Sequence, residues 1–187
     1  MTQAKIRLRP TARSLAVKKK NMEIDHFSKS EIEDSLQRID SIIESKIFEP
    51  ENSDSPLLRS AFIELLICLR DLMYKTEKYA SRVSFDEDIV KNEKISDITD
   101  VIKYVRDALC HLDSDNHYLE KGNIKATYNI MRGKGTLVKI NDYEQTSEHT
   151  DELCFFFGSQ RIYFKRHILR TIEEVKSKLL PLIEASS

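Results

Sequence analysis

The chain has 187 residues, of which 40% are hydrophobic and 33% charged, and its formal net charge at pH 7 is −1. This length fits one domain with its own core, and only four Gly and four Pro favour long helices over a turn-rich β fold. No apolar run approaches the roughly 18 residues that cross a bilayer, and no signal peptide is recognisable, so we expect a cytoplasmic protein without a membrane span.

Residues 1–29 are predicted to form a basic amino-terminal arm. Positions 1–21 contain seven Lys or Arg residues and no acid, a composition that suits either phosphate binding or a solvated terminus. Residues 30–187 are assigned to one helical domain.

The first two helices are predicted at about 30–48 and 56–80. Ser30 and Glu33 match a capping box ahead of apolar residues at helical spacing, and Pro56 suits the first position of the second helix. That second helix is apolar over more than one face. It therefore fits either a central core helix or one shared between the core and a dimer interface.

A third helix is predicted at about 96–112, ending in the polar turn 113–116. Two β-hairpins follow, one pairing 125–132 with 136–141 and the other pairing 153–157 with 161–164, each around a Gly-containing turn. A last helix is predicted at about 165–183. The expected order is three helices, a small antiparallel β insertion at about 124–164, and one helix.

The cysteines and histidines give no sign of a metal site. Cys68, Cys110 and Cys154 lie far apart and form no CxxC pair, which argues against both a disulfide framework and a zinc site. The five histidines show no recurring ligand spacing. We expect reduced cysteines and neither metal nor other cofactor.

Arg106 and His111, in the sequence RDALCH, stand at the end of the third predicted helix with four residues between them. This pair resembles the Rx4-6H signature of the HEPN superfamily, and Asp107 fits the polar residue that the family favours after the Arg. The resemblance implies a mainly α fold, a four-helix up-and-down bundle that dimerises, here with the two hairpins inserted between helices 3 and 4. It also implies a metal-independent endoribonuclease with a toxin or phage-defence role.

The residue types of the pair suit RNA cleavage. Imidazole can take or give a proton near neutral pH, and guanidinium can stabilise the charge that builds up on the phosphorane. We therefore expect His111 as the acid or base, Arg106 as the cation, and Asp107 as the group that orients them. On an ideal helix, however, side chains five residues apart point about 140° away from each other. Convergence would need the helix to end near His111, or a second copy of the motif across a two-fold axis.

Asn116, His117 and Tyr118 lie just beyond the pair and are candidates for substrate binding, although a polar turn with an aromatic anchor would also explain them. A toxin–antitoxin branch of the superfamily has Tyr two residues after the His, where this chain has Asp113. This difference puts an antitoxin partner in doubt and leaves other protein partners open.

Two alternatives compete with the nuclease. Arg106 can pair with a nearby acid while His111 interacts favourably with the helix dipole, which would make the motif structural. The chain would then be either a non-catalytic helical dimer that binds RNA or a protein partner through its β insertion, or a purely structural or regulatory interaction domain. Arg161 and His167 are a second match to the motif spacing, but they straddle a strand-to-helix junction where the family does not place its site.

Overall fold

In a computed structural model, residues 23–111, 113–119, 124–126, 128–141 and 143–185 are described. Their helices are α1 (His26–Glu44), α2 (Leu58–Tyr79), α3 (Ile98–Cys110) and α4 (Arg170–Glu184), and a π-helical turn, Phe164–Leu169, leads into α4. The strands are β1 (Asn129–Arg132), β2 (Gly135–Ile140), β3 (Tyr143–Ser147), β4 (Leu153–Phe157) and β5 (Gln160–Tyr163). Within these ranges, none of the helices combines the length and the apolar character needed to cross a bilayer.

Helix α1 begins four residues before the position predicted from the sequence. Its N-cap is Asp25, whose carboxylate accepts a hydrogen bond from the Ser28 amide at 2.9 Å, and Ser30 lies inside the helix. The predicted boundary between the basic arm and the domain, at residues 29 and 30, therefore falls within α1. Residues 1–22 of that arm lie outside the described part of the chain.

Helix α2 is the central helix of the domain, since α1, α3 and α4 all pack against it. Arg82, just after α2, donates to both carboxylate oxygens of Asp97 at 2.7 and 2.8 Å, and to Asp100 at 2.7 Å. This network fixes the start of α3 beside the end of α2. The two helices consequently lie side by side and antiparallel.

The predicted fold class, a four-helix bundle with two inserted hairpins, is wrong. The described residues form four helices and five antiparallel strands in two sheets: a three-stranded sheet in the order β1-β4-β5, and a separate ribbon of β2 and β3. The turn at Gly133 does not close the predicted hairpin. Instead β1 pairs with β4, placing Ile130 opposite Phe155, and β2 pairs with β3.

One face of the three-stranded sheet packs against the helices. Phe155 of β4 stacks on Phe62 of α2, with ring centroids 3.9 Å apart. The same hydrophobic core includes the other residues of β4 and β5 that point to this face, namely Leu153, Phe157 and Ile162. The sheet is thus part of the main core.

The opposite face of this sheet is covered by the β2–β3 ribbon. Arg161 of β5 donates to the carbonyl oxygen of Thr146 at 2.9 Å, and the Tyr163 hydroxyl accepts from the Glu148 amide at 3.1 Å. Beneath them lies a second small cluster of Cys154, Phe156, Tyr163 and Met131. All five residues of β4 are buried. A continuous apolar strand requires cover on both faces, and for that reason the three-stranded sheet lies between the helices and the β2–β3 ribbon.

Candidate functional site at the end of helix α3

The predicted motif lies at the carboxyl end of α3. The helix begins at an N-cap, Asp97, and buries Val101, Val105 and Leu109 at intervals of four residues. This amphipathic spacing leaves Arg106 and Asp107 half-buried and Cys110 exposed.

The guanidinium of Arg106 is held by the neighbouring carboxylate. Its Nη1 lies 2.6 Å from Oδ1 of Asp107, and the two side chains are 34% and 32% exposed. Consecutive residues on a helix usually point in different directions, so this contact requires the long Arg side chain to bend toward Asp107. The Nε atom of Arg106 is buried and has no hydrogen-bond partner. Asp107 thus orients the guanidinium, and it also balances part of its charge.

His111 is the first residue after α3, and it has left the helical conformation, with φ −122° and ψ 107°. Its carbonyl oxygen accepts hydrogen bonds from the Ser114 amide at 3.1 Å and from Nε2 of His117 at 2.9 Å. Its side chain is exposed. Because His111 has left the helical conformation, the 140° divergence calculated for an ideal helix does not fix the direction of its side chain. Within one chain, no hydrogen bond or ion pair links Arg106 to His111 among the described contacts.

The three predicted substrate-binding residues lie in different environments. Asn116 faces α3, where its Nδ2 donates to the carbonyl oxygen of Tyr104 at 3.2 Å and its own carbonyl accepts from the Tyr104 hydroxyl at 3.1 Å. His117 is buried against the ring of Phe157, with centroids 5.1 Å apart. Tyr118 is 42% exposed. Of the three, Tyr118 is the one whose side chain is exposed, whereas Asn116 is half-buried.

An open cavity of about 620 Å³ lies beside Tyr118. It is bounded by the loop that precedes α3, by α3 itself and by the turn that follows it. Its lining residues are Lys91, Asn92, Glu93, Lys94, Tyr104, Asp115, Tyr118 and Leu119.

The turn after α3 rests on Gly158, a support that the sequence reasoning did not identify. Gly158 has φ +53°, and a Cβ built on it would come within 2.6 Å of the Asn116 carbonyl oxygen. Its amide donates to Ala126 at 2.9 Å. The sequence marked Gly158 as a turn residue, but its contact with a segment about 40 positions away is a tertiary feature with no local signal.

The second match to the motif, Arg161 and His167, is engaged in contacts within the fold. Nδ1 of His167 accepts from the Tyr163 amide at 3.2 Å, so Nε2 carries the proton and donates to the Glu87 carbonyl oxygen at 3.0 Å. Burial lowers the pKa of His167 to about 4. The guanidinium of Arg161 is bonded to Thr146 and to the carboxylate of Glu148. Both side chains therefore serve the fold.

Helix α2 keeps an exposed apolar stripe in addition to its buried faces. Ile67 is 40% and Tyr74 is 56% exposed, and Ile63, one turn before Ile67, is half-buried. Cys68, the residue after Ile67, is buried. The helix is thus central to the core without being fully covered by it.

Within the described ranges, no cluster of three or more His, Cys, Asp or Glu side chains is arranged to hold a metal ion. Comparison of the chain with protein-family models, with curated proteins and with solved structures finds no match in any of the three. A function for this protein must therefore be inferred from the side chains at the end of α3 and from their surroundings.

Proposed function

We propose that this protein is a metal-independent endoribonuclease of the HEPN type that acts as a homodimer, with Arg106 and His111 as its catalytic residues. The observation that carries the proposal is the end of α3 between Cys110 and His111. An exposed imidazole and a half-buried guanidinium lie near this helix end, and because His111 has left the helical conformation, the divergence of an ideal helix does not fix the direction of its side chain.

The chemistry needs a general base, a general acid and a fixed cation. The 2′-hydroxyl of RNA gives its proton to the base and forms a bond to the adjacent phosphorus, while the bond to the 5′-oxygen breaks and that oxygen receives a proton from the acid. Imidazole can serve in either role near neutral pH. Arg106 would stabilise the charge on the phosphorane, with Asp107 holding the guanidinium in place.

A dimer would supply the second proton-transfer group. A two-fold contact brings the same surface of both subunits together, and His111 of one protomer could then act as base while His111 of its partner acts as acid. The apolar stripe of Ile63, Ile67 and Tyr74 on α2, of which Ile67 and Tyr74 are exposed, supports a dimer contact through this helix. Apolar residues at the centre of an interface are typical of homodimers.

Cleavage of a labelled single-stranded RNA tests the catalytic assignment. His111→Ala should lower the rate about 10²–10⁴-fold and Arg106→Ala about 10²–10³-fold, and the parent protein should cleave equally well in excess EDTA. His26→Ala and Arg59→Ala, at two other exposed side chains, are matched controls that should retain activity. A wild-type protein without activity on any RNA would refute the proposal, as would full activity in either motif variant.

Cys110 offers a direct test of the dimer. It is exposed, one residue before His111, whereas Cys68 and Cys154 are buried. A short bis-maleimide should therefore join two protomers through Cys110 if the two motifs meet, and Cys110→Ser should abolish the product. A monomer by light scattering at tens of micromolar, with no cross-linked product, would contradict the paired site.

A second candidate function, a non-catalytic dimer that binds RNA or a protein partner, is favoured by one observation. The Arg106 guanidinium is already bonded to Asp107 at 2.6 Å, and among the described residues no hydrogen bond or ion pair joins it to His111 of the same chain. RNA binding that persists in the Arg106→Ala and His111→Ala variants, without cleavage by the parent, would support this function over the nuclease.

A further inference from the structure

The carbonyl oxygen of His111 determines where α3 ends. In a continuing helix this oxygen would accept from the amide four residues later. Here it accepts instead from the Ser114 amide at 3.1 Å and from Nε2 of His117 at 2.9 Å. A carbonyl oxygen has two lone pairs, so both are used by the turn.

The His117 ring is fixed by packing. The residue is only 5% exposed, and its ring lies 5.1 Å from that of Phe157 on β4. Its Nδ1 is buried without a partner, so neither ring nitrogen is presented to solvent. His117 therefore cannot bind a substrate directly, although its position in the sequence suggested that role.

We propose that His117 is a positioning residue for His111: by bonding to the His111 carbonyl from a ring held on the sheet, it ends the helix there and sets the direction of the exposed imidazole. This inference rests on the proposed function for its catalytic consequence, but the geometry it describes is independent of activity. It links β4 of the central sheet, through one side chain, to the motif at the end of α3.

Two substitutions separate the hydrogen bond from the packing. His117→Phe keeps an aromatic ring against Phe157 and removes the donor, whereas His117→Gln supplies an amide donor at a similar reach. His149→Phe is the matched control, since His149 is a partly buried histidine bonded to Asp88 in another part of the fold. All variants are first checked for native circular dichroism.

The primary readout is the ring signal of His111 in ¹H–¹³C NMR spectra of histidine-labelled protein. We expect His117→Phe to shift that signal, His117→Gln to restore it, and His149→Phe to leave it unchanged. In RNA cleavage, kcat of the Phe variant should fall about 10–100-fold, the effect of a small misplacement of a catalytic group, with KM within about twofold of wild type.

An unchanged His111 signal in a folded His117→Phe variant would overturn the inference, as would a Gln variant that restores nothing. If the Phe variant does not fold, His117→Asn, whose side chain is too short to reach the carbonyl oxygen, replaces it in the same comparison. Failure of the wild-type protein to cleave RNA would refute the proposed nuclease, and the NMR comparison would still decide whether His117 positions His111.

Discussion

Substitution of Gly158 by Ala tests the packing that supports the candidate site. Gly158 has φ +53°, and a Cβ there would lie 2.6 Å from the backbone carbonyl oxygen of Asn116. Holding a non-glycine residue in the left-handed region costs about 1–2 kcal/mol, and overpacking a filled site costs about 1–3 kcal/mol more. We therefore expect Gly158→Ala to lower the free energy of unfolding by about 2–5 kcal/mol.

Gly133→Ala is the matched control for this prediction. Gly133 also has a positive φ, +80°, but a Cβ there would stay 3.4 Å from the Thr150 carbonyl oxygen. Gly133→Ala should therefore lower the free energy of unfolding only by the cost of the left-handed backbone conformation, about 1–2 kcal/mol. Urea titrations followed by circular dichroism give both values, provided that the m-values agree. Equal destabilisation of the two variants would show that the turn after α3 does not rest on Gly158.

Three further predictions concern buried ionisable groups and the thiols. Glu152→Gln should lower the free energy of unfolding by about 2–4 kcal/mol in thermal melts, because this fully buried carboxylate accepts two backbone N–H groups at the start of the π-helical turn. His167 has a pKa of about 4 in the folded protein, against 6.5 for the free side chain. The free energy of unfolding therefore includes about 3 kcal/mol from the neutral, buried His167 above pH 6.5, and this contribution is lost as the pH falls toward 4. His167→Gln should flatten that part of the curve of unfolding free energy against pH, measured with urea. Ellman's reagent should titrate one thiol per native chain, Cys110, and three after unfolding, since burial raises the pKa of Cys68 to about 11 and of Cys154 to about 12. Rapid reaction of all three native thiols would contradict the packing of both buried cysteines.

The local features of this protein are readable from its sequence, because they depend on residues a few positions apart. Apolar residues at spacings of three and four locate the helices to within a few positions, as Val101, Val105 and Leu109 do for α3. The polar turn at 113–116 marks where α3 has ended. The motif of Arg106 and His111 is equally local, which is why its place at a helix end could be predicted while its chemistry stays a proposal.

The continuous apolar run of β4 shows where local information stops. Its residues Leu153 to Phe157 predict a strand, and a strand of this composition also indicates burial on both faces, a signal that the prediction of two inserted hairpins did not use. The apolar run does not indicate which strand pairs with β4. A Gly-containing turn between 125–132 and 136–141 predicts that these two segments pair as a hairpin. In the structure, residues 129–132 pair instead with β4, more than 20 residues away.

Tertiary structure decided this pairing, because non-local contacts are selected by the apolar surface that they bury over the whole domain. The register of the paired strands then follows from which face of each strand is buried. Placing Ile130 opposite Phe155 packs the half-buried Ile130 against the hydrophobic core, whereas β2 leaves Leu137 and Ile140 exposed. The same reason applies at the candidate site. The sequence determined that a polar turn follows α3, but the contacts of that turn with Gly158 and of His117 with Phe157 exist only because the sheet packs beneath it.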